Sequence, residues 1–328
     1  MPPGSVTRFT EVRGHQRVRD FLRTAATNDR LPHALLFAGA EGVGKRTIAL
    51  ALAAWILCEE DGDDACGRCS ACRQVAVLSH PDFQLVGVAA GKKEIGVDRA
   101  RDVKHFTQLR PLRGTMKVAV IDEAPMLTVA AQNALLKTLE EPPAHSLLIL
   151  IANNPDALLP TVRSRCQRVQ FSPLSNDIVV DILVQDHGIN AAAALQLATL
   201  AEGSPGRALA LSRSVGGTDA LPQLAGISGA RYVELMHLAN TLGLPESDTA
   251  MKLEILLSQL RDDMLRALGA AHLAPSDTTT PTPTRAPSVR AMLIAADLVH
   301  GTREAMRRGN PNRQLLLEAL LLRLARSE

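Results

Sequence analysis

The pattern of hydrophobic and polar positions divides the chain into three regions. The first, up to about residue 171, alternates short apolar runs with stretches of helical periodicity. Short runs rich in valine, isoleucine and leucine are typical of strands, and their alternation with helices is typical of a parallel sheet. We therefore predict an α/β fold, a parallel sheet flanked by helices, for this part. The predicted strands are Leu35–Ala38, Phe83–Val88, Lys117–Ile121, Leu147–Ala152 and Val169–Phe171.

The segment that follows the last predicted strand is helical throughout and interrupted by turn residues. Ser175 and Asn190 are predicted N-caps, Gly188 is a predicted helix stop, and the helix capped by Asn190 is predicted to end at Gly203. Ser204 and Pro205 predict a further N-cap followed by proline in the first helical position. Short helices in so few residues predict a small lid rather than an independent fold.

Paired glycines at Gly216 and Gly217 mark the next break, and the rest of the chain is again helical. Amphipathic periods are strongest over residues 251–268 and 314–324. A stretch rich in threonine and proline over about 274–287 predicts a disordered loop. The predicted domains are a sheet-containing domain over 1–172 with an insertion at about 58–72, a helical lid over 173–214, and an all-helical domain over 215–328.

Composition restricts the function classes only weakly. Of 328 residues, 46% are hydrophobic but only 2% are aromatic, so aliphatic side chains must fill the cores. The formal net charge of +2 gives no case for a nucleic-acid or membrane surface. Residues 1–8 contain no apolar run of a secretory signal, and Ile48–Cys58 is too short to span a bilayer. We expect a cytoplasmic protein without a membrane partner.

The segment Leu35–Thr47 follows a predicted strand, opens a predicted helix and has the spacing of a P-loop. Glycines at positions 39, 42 and 44 let backbone N–H groups turn toward phosphate oxygens, and the following helix N-terminus adds partial positive charge. Lys45 would reach the β- and γ-phosphates. We therefore assign Gly39, Gly42, Gly44 and Lys45 to a nucleotide site, with a vestigial loop that binds nothing as the alternative.

Position 46 departs from the P-loop pattern. The residue after the lysine is normally serine or threonine, whose hydroxyl ligates Mg²⁺, but here it is Arg46, which has no acceptor. Thr47 lies one residue further, roughly 100° around the helix. Two adjacent cations at a helix N-terminus are unfavourable unless an anion offsets them. The sequence therefore favours ATP binding at Lys45, Arg46 and Thr47, with Mg²⁺-dependent hydrolysis weak or absent.

An acidic pair, Asp122 and Glu123, ends the predicted strand Lys117–Ile121. In a P-loop protein this is the Walker B position, where Asp122 would help to hold Mg²⁺ and Glu123 would polarise the attacking water. Asn153 follows the next strand, where its amide could touch the γ-phosphate. The alternatives are a solvated turn for the acidic pair and an ordinary turn residue for Asn153.

A cluster of cysteines follows the P-loop helix. Cys66, Cys69 and Cys72 are spaced by two residues each, and Cys58 precedes them. Four thiolates satisfy a tetrahedral Zn²⁺ ion and leave no open position, so the predicted role is structural. The alternatives are a redox or disulfide cluster and an iron–sulfur site, although the cysteine and following proline usual for the latter are absent.

Three segments resemble the clamp-loader AAA+ family: Leu31–Phe37, Gln132–Pro143 and Leu158–Cys166. The resemblance covers about residues 8–213 and implies an AAA+ P-loop domain followed by a helical lid and a helical collar. A zinc insertion after the P-loop helix is also found in bacterial members of this family. The final third of the chain fits the family only by length and helical character.

The resemblance also implies roles for individual residues. The arginine of the Ser-Arg-Cys segment, Arg165, would reach across a subunit interface to the neighbour's ATP, where a guanidinium neutralises charge on the transferred phosphoryl group. Arg207 resembles the second sensor of the family, and residues 8–16 resemble the segment that packs around adenine. Arg163 and Arg168 are expected on a solvated or DNA-facing surface. Surface arginines are the alternatives for Arg165 and Arg207.

The function implied by the resemblance is that of a largely non-hydrolysing subunit of a bacterial clamp loader. It would join gamma/tau and delta subunits in a hetero-pentamer and help to load the sliding clamp on primer–template DNA during replication by DNA polymerase III. The first alternative is the ATP-hydrolysing motor subunit of the same complex, which the intact Gly44-Lys45 and Asp122-Glu123 favour. The second alternative is an unrelated P-loop kinase, which would leave the Ser-Arg-Cys segment and the cysteine cluster unexplained.

Overall fold

A computed structural model describes residues 8–214, scattered positions between 253 and 270, residues 289–308 and residues 312–324. The predicted threonine- and proline-rich loop and most of the predicted helix at 251–268 lie outside the described residues. Within them, the helices are α1 (Gln16–Thr27), α2 (Lys45–Ile56), α3 (Ser70–Ala76), α4 (Val97–Gln108), α5 (Val129–Glu140), α6 (Pro160–Arg163), α7 (Asn176–His187), α8 (Ala191–Leu200), α9 (Pro205–Ser214), α10 (Val289–Arg308) and α11 (Arg313–Leu324).

The described strands form one parallel five-stranded sheet in the order β2-β3-β4-β1-β5. Leu36 of β1 pairs with Leu150 of β4 on one side and with Arg168 of β5 on the other. The predicted α/β class with a parallel sheet is therefore confirmed. The strands are β1 (Ala34–Ala38), β2 (Phe83–Val86), β3 (Lys117–Ile121), β4 (Ser146–Ala152) and β5 (Gln167–Gln170).

Both faces of the sheet are covered, which explains why its strands are continuously apolar. Successive strand residues point to opposite faces. On one face, Leu35 and Phe37 of β1 join a core that includes residues of α2 and α3. On the other face, Leu36 joins a core with residues of α4 and α5. The three central strands are buried at every position.

Strand β5 begins earlier and ends earlier than predicted. It runs over Gln167–Gln170, and its first two residues are exposed polar side chains. Because β5 is an edge strand with one neighbour, most of its residues are exposed and polar. The strand therefore has no continuous apolar run from which it could be predicted. Phe171 lies beyond the strand, yet its N–H still donates to the carbonyl of Ala38 at 2.7 Å.

The predicted helix ends are mostly found as expected. Gly188 ends α7 with a left-handed φ of 66°. The Asn190 side chain accepts from Ala193 N–H at 2.8 Å, and the Ser204 hydroxyl accepts from Arg207 N–H at 3.2 Å. Ser175 occupies the N-cap of α7, but its side chain makes no capping hydrogen bond.

Helix α8 ends at Leu200 and not at Gly203 as predicted. Glu202 and Gly203 both have left-handed backbone conformations, with φ of 50° and 79°. Neither conformation continues a right-handed helix, so the chain turns before the predicted stop.

The chain divides into two compact units, residues 1–194 with 202–207, and residues 195–201 with 208–328. In the second unit, Val299 of α10 packs with Leu317, Leu320 and Leu321 of α11. No helix among the described residues combines the length and the apolar character needed to cross a membrane.

Candidate functional site

The carboxyl ends of the parallel strands bring the predicted nucleotide residues to one edge of the sheet. The P-loop follows β1, Asn153 follows β4, and Asp122 follows β3, which is the neighbour of β4. In open α/β sheets, ligands bind outside these strand ends. The fold thus places the P-loop beside Asp122 and Asn153, the polar residues that follow β3 and β4.

The carbonyl oxygens of P-loop residues 39–43 all accept hydrogen bonds from elsewhere in the protein. Lys45 Nζ donates to the first two, at 2.7 and 2.5 Å. The Ser204 hydroxyl donates to the third at 2.8 Å, and Gly206 N–H donates to the fourth at 2.9 Å. His15 Nε2 binds the fifth at 2.7 Å. These contacts fix the orientation of every carbonyl in the loop.

The backbone N–H groups of Ala40–Gly44 have no acceptor among the residues that the structure describes. Consecutive N–H donors of this kind form an anion-binding concavity. The following helix α2 begins at Lys45 without a side-chain cap and without an acidic residue in its first turn. Its dipole therefore adds to the attraction for an anion instead of being offset.

Lys45 is nearly buried, with 6% of its surface exposed. Burial lowers the pKa of its ammonium group, and the nearby Asp122 and Glu41 carboxylates act in the opposite direction. The ammonium group turns onto the loop carbonyls of Gly39 and Ala40. It would have to leave them, at least in part, to reach a phosphate.

Arg46 forms an ion pair with Asp122, the first residue of the predicted Walker B pair. Its Nη1 lies 3.3 Å from Asp122 Oδ2, and the other oxygen of Asp122 accepts from Glu123 N–H at 3.0 Å. The Arg46 side chain is 52% exposed, whereas that of Asp122 is 20% exposed. The pair thus joins the two positions, 46 and 122, that were predicted to hold Mg²⁺ in a P-loop ATPase.

The remaining predicted nucleotide residues lie near this edge. Thr47 is in the first turn of α2 and makes no side-chain hydrogen bond among the described residues. Glu123 is exposed and has a left-handed φ of 51°. The Asn153 amide oxygen accepts from Asn154 N–H at 2.9 Å. The structure brings Asp122 into contact with the P-loop helix, whereas Glu123 and Asn153 remain at the strand ends.

Arg207 lies in the first turn of helix α9, where that helix touches the P-loop. A Cβ atom built on Gly42 would lie 3.1 Å from Arg207 N and 2.5 Å from the Ser204 hydroxyl. The Arg207 guanidinium is 3.3 Å from Glu202 Oε2. The predicted second sensor therefore lies beside the loop, with its charge directed at a neighbouring carboxylate.

The segment predicted to surround adenine, residues 8–16, contacts helix α7 through Arg13 and the P-loop through His15. Arg13 binds Asp181 and Asp186 of α7 at 2.9 Å each. His15 reaches the Val43 carbonyl, and its ring stacks edge-on against Phe171 with centroids 4.9 Å apart. Burial lowers the pKa of His15, although the bond to Val43 opposes this effect. Because a carbonyl only accepts, His15 Nε2 must carry the proton.

Arg165 lies after α6, far along the sequence from the P-loop. Its Nη2 is 2.8 Å from Glu140 Oε1 at the end of α5, and its Nη1 donates to the Thr161 carbonyl at 3.0 Å. About a third of the side chain, 35%, is exposed. Burial raises the pKa of the adjacent Cys166 thiol to about 12.

A buried glutamine links the acidic-pair turn to the helix before Arg165. Gln132 Nε2 donates to the Leu127 carbonyl at 3.1 Å, and its Oε1 accepts from Leu159 N–H at 2.7 Å. The side chain is almost entirely buried. The role of Gln132 could not be predicted from the sequence, since a polar residue within an amphipathic helix gives no signal of burial.

The cysteine cluster forms as predicted. The Sγ atoms of Cys58, Cys66, Cys69 and Cys72 all lie within 4.8 Å of one another. Backbone N–H groups also point at sulfur: those of Cys66, Cys69 and Cys72 donate to the preceding cysteine of the cluster at 3.3–3.4 Å. The four residues therefore fit a tetrahedral cation with thiolate ligands.

The thiols of this cluster differ in acidity. Burial raises the pKa of Cys69, but hydrogen bonds from the backbone of Cys72 and Glu59 outweigh it and lower the pKa to about 7. Burial raises the pKa of Cys72 and of Cys58. A bound cation would stabilise all four as thiolates, and its affinity would depend on pH.

A second charged pair is buried at the start of β3, at the end of the strand opposite Asp122. This pair was not predicted from the sequence. Lys117 Nζ lies 3.0 Å from Asp82 Oδ1, with side chains 2% and 0% exposed. The Asp82 carboxylate also accepts from the backbone N–H groups of residues 112, 113 and 114 at 2.8–2.9 Å. The pair ties the α4–β3 connection to the start of β2.

The chain is similar to known DNA polymerase III subunits. Residues 14–175 match the family described as DNA polymerase III, delta subunit. The chain is 33% identical over 301 residues to DNA polymerase III subunit delta′ of Escherichia coli K12, covering 89% of this chain and 88% of that protein. It is 35% identical over 267 residues to subunit tau of the same organism, covering 79% of this chain and 39% of tau.

Among solved structures, the fold is similar to a gamma-subunit-related protein of DNA polymerase III from Thermotoga maritima. The TM-score is 0.47 at 18% sequence identity, with 93% of this chain and 99% of that chain covered.

Proposed function

The chain belongs to the delta′ family of DNA polymerase III subunits, and we propose that it serves its clamp loader by donating Arg165 to a neighbouring ATPase subunit. In this proposal the subunit hydrolyses little or no ATP itself. It assembles with gamma/tau and delta subunits, and the complex loads the sliding clamp on primer–template DNA.

The observation that carries the proposal is the support of Arg165. Glu140 and the Thr161 carbonyl hold its guanidinium at 2.8 and 3.0 Å, while 35% of the side chain remains exposed. A guanidinium bound on one side and open on the other is preorganised for an anion that arrives from a second subunit. Its charge would stabilise the phosphoryl group in transfer.

Weak intrinsic turnover follows from Arg46. Arginine offers no oxygen to a metal, and its contact with Asp122 engages the carboxylate that a P-loop ATPase uses for Mg²⁺. Catalysis of phosphoryl transfer depends on that ion to neutralise developing charge. Bound nucleotide would therefore serve assembly rather than turnover.

The alternative is the motor subunit of the same complex, and one observation favours it. Lys45, Asp122 and Glu123 are all present at the sheet edge, as an ATPase requires. Steady-state ATP turnover by the isolated chain separates the two functions, because a motor subunit hydrolyses ATP with its own residues.

We propose zinc as the cation of the cysteine cluster. Four thiolates leave no position for a substrate, so the ion would be structural. It would hold the segment after α2 against the core through Cys72, which is completely buried. The bound ion would then fix the conformation of the predicted insertion, about residues 58–72, which is too short to form a hydrophobic core of its own.

The arginine-finger role is tested in the reconstituted complex. We expect Arg165→Ala to lower hydrolysis at the neighbouring site by on the order of 10³-fold, and clamp loading with it. Assembly, followed by gel filtration, should be unchanged. Arg99→Ala is the matched control, since that arginine lies at an exposed position of α4 and belongs to neither the nucleotide site nor the Ser-Arg-Cys segment. Unchanged clamp loading by Arg165→Ala would exclude the role.

A further inference from the structure

The P-loop site does not fit the magnesium ion that P-loop ATPases carry with their nucleotide. Mg²⁺ requires oxygen ligands in nearly octahedral geometry. Position 46 supplies a guanidinium in place of a hydroxyl, and this guanidinium lies 3.3 Å from Asp122 Oδ2. The other Asp122 oxygen already accepts from Glu123 N–H. A metal at this position would meet a fixed positive charge.

The donors needed for phosphate oxygens are nevertheless present. The N–H groups of residues 40–44 have no acceptor among the described residues, and the carbonyls of residues 41–43 are held by partners other than Lys45. Lys45 adds an ammonium group at the base of the loop. The loop is therefore fixed with its donors available, which is what a polyphosphate requires.

Arg46 supplies the charge that the metal would otherwise bring. Only one of its guanidinium nitrogens contacts Asp122, and 52% of the side chain is exposed, so further donors can meet phosphate oxygens. The planar fork suits bidentate contact with a phosphate. The ion pair also neutralises Asp122, which would otherwise repel the phosphates of a metal-free nucleotide.

From this geometry we infer that the site binds a nucleoside triphosphate as the metal-free anion, with the Arg46 guanidinium in place of Mg²⁺. The inference rests on the nucleotide-binding part of the proposed function and names its ligand form. An added divalent ion would compete with Arg46 for the same phosphate oxygens. Binding should therefore need no Mg²⁺ and should weaken when Mg²⁺ is present in excess.

The test is calorimetric titration of the full chain with ATP, once in EDTA and once in excess Mg²⁺. We expect a Kd in EDTA that is lower than the Kd in excess Mg²⁺. Arg46→Thr restores the hydroxyl ligand and should reverse this order, so that the variant binds more tightly with Mg²⁺. In EDTA it should bind about tenfold more weakly than the unmodified chain or worse, because a charge-assisted contact is lost.

Two further variants keep the result interpretable. Arg46→Lys retains the charge without the planar fork and should show an intermediate Kd in EDTA. Arg99→Thr, on an exposed position of α4, should leave both Kd values unchanged. Circular dichroism of each variant verifies that it is folded.

Binding by the unmodified chain only with Mg²⁺ would overturn the inference. So would the absence of binding under both conditions, or equal Kd values for the unmodified chain and Arg46→Thr in EDTA. None of these results bears on Arg165, because the clamp-loading experiment measures hydrolysis at the neighbour's site. The two proposals can therefore fail independently.

Discussion

Gly206, at the start of α9, lies directly against Gly42 of the P-loop. Its N–H donates to the Gly42 carbonyl at 2.9 Å, and a Cβ atom built on it would lie 2.7 Å from Gly42 Cα. Two backbones can approach this closely only when neither residue has a side chain. The pair fixes the distance between the loop and the segment that carries Arg207.

Substitution Gly206→Ala should therefore push this segment away from the loop. Its φ is not positive, so alanine is compatible with the backbone and only the steric contact matters. We expect a loss of about 1–3 kcal/mol in unfolding free energy, as for other overpacked sites, and weaker ATP binding. Urea denaturation followed by the fluorescence of the single tryptophan, Trp55, measures the stability.

Gly301→Ala is the matched control for this experiment. Gly301 lies within α10, and a Cβ atom there would meet nothing within 4 Å. Alanine in an open helical position should stabilise that helix by roughly 0.5–1 kcal/mol. A Gly206→Ala variant as stable as the unmodified chain would contradict the role of the close contact.

The buried pair of Asp82 and Lys117 should contribute strongly to stability. Asp82→Asn removes the partner charge of a lysine that is 2% exposed and leaves its ammonium group unpaired. Breaking such a pair costs about 3–5 kcal/mol. Asp98→Asn is the control, because Asp98 is 90% exposed and its contact with Arg101 is a surface pair. Equal urea midpoints for the two variants would refute the prediction.

The same pair predicts a pH dependence. Burial alone would raise the pKa of Asp82, but three backbone N–H groups and Lys117 hold it well below its usual range. A carboxyl with a depressed pKa stabilises the fold above its unfolded pKa of about 4 and loses this contribution as pH falls below it. The stability difference between the unmodified chain and Asp82→Asn should therefore shrink between pH 7 and pH 3.

The metal content of the purified chain tests the cysteine cluster. We expect one zinc ion per chain by elemental analysis, and its loss in Cys72→Ser, because that residue is a buried ligand. Cys166→Ser should retain the zinc, since Cys166 lies outside the cluster. Retention of zinc by Cys72→Ser, or iron in place of zinc, would contradict the assignment.

Glu140 should affect hydrolysis through Arg165. In Glu140→Gln the carboxylate that holds the guanidinium at 2.8 Å becomes neutral, so Arg165 samples more conformations. Because both groups are partly exposed, the pair is worth about 0.2–1 kcal/mol, and the complex should lose at most about fivefold in kcat. KM for ATP should not change. Glu141→Gln, at the adjacent exposed position, is the control, and an equal effect there would contradict the role of Glu140.

Several features of the site could be predicted from the sequence because they depend on local order. The P-loop and the cysteine cluster are each contained in short segments whose spacing already fixes the donor set. The parallel sheet was predictable because strands buried on both faces leave continuous apolar runs. The two edge strands were predicted less well: β5 was misplaced because its exposed Gln167 and Arg168 give no such run, and β2 ends at Val86 instead of Val88.

The sequence by itself determined which chemical groups this protein has: a P-loop with arginine at position 46, an acidic pair, four clustered thiols and the Arg165 motif. The tertiary structure alone decided which of them meet. Arg46 pairs with Asp122 because β1 and β3 end at the same sheet edge, although 76 residues separate them. Gly206 and Ser204 also donate hydrogen bonds to P-loop carbonyls from a distant part of the chain, since Ser204 lies 163 residues after Glu41 in the sequence. Contacts between distant segments depend on the order of the strands in the sheet. The spacing of residues within a short motif does not determine that order.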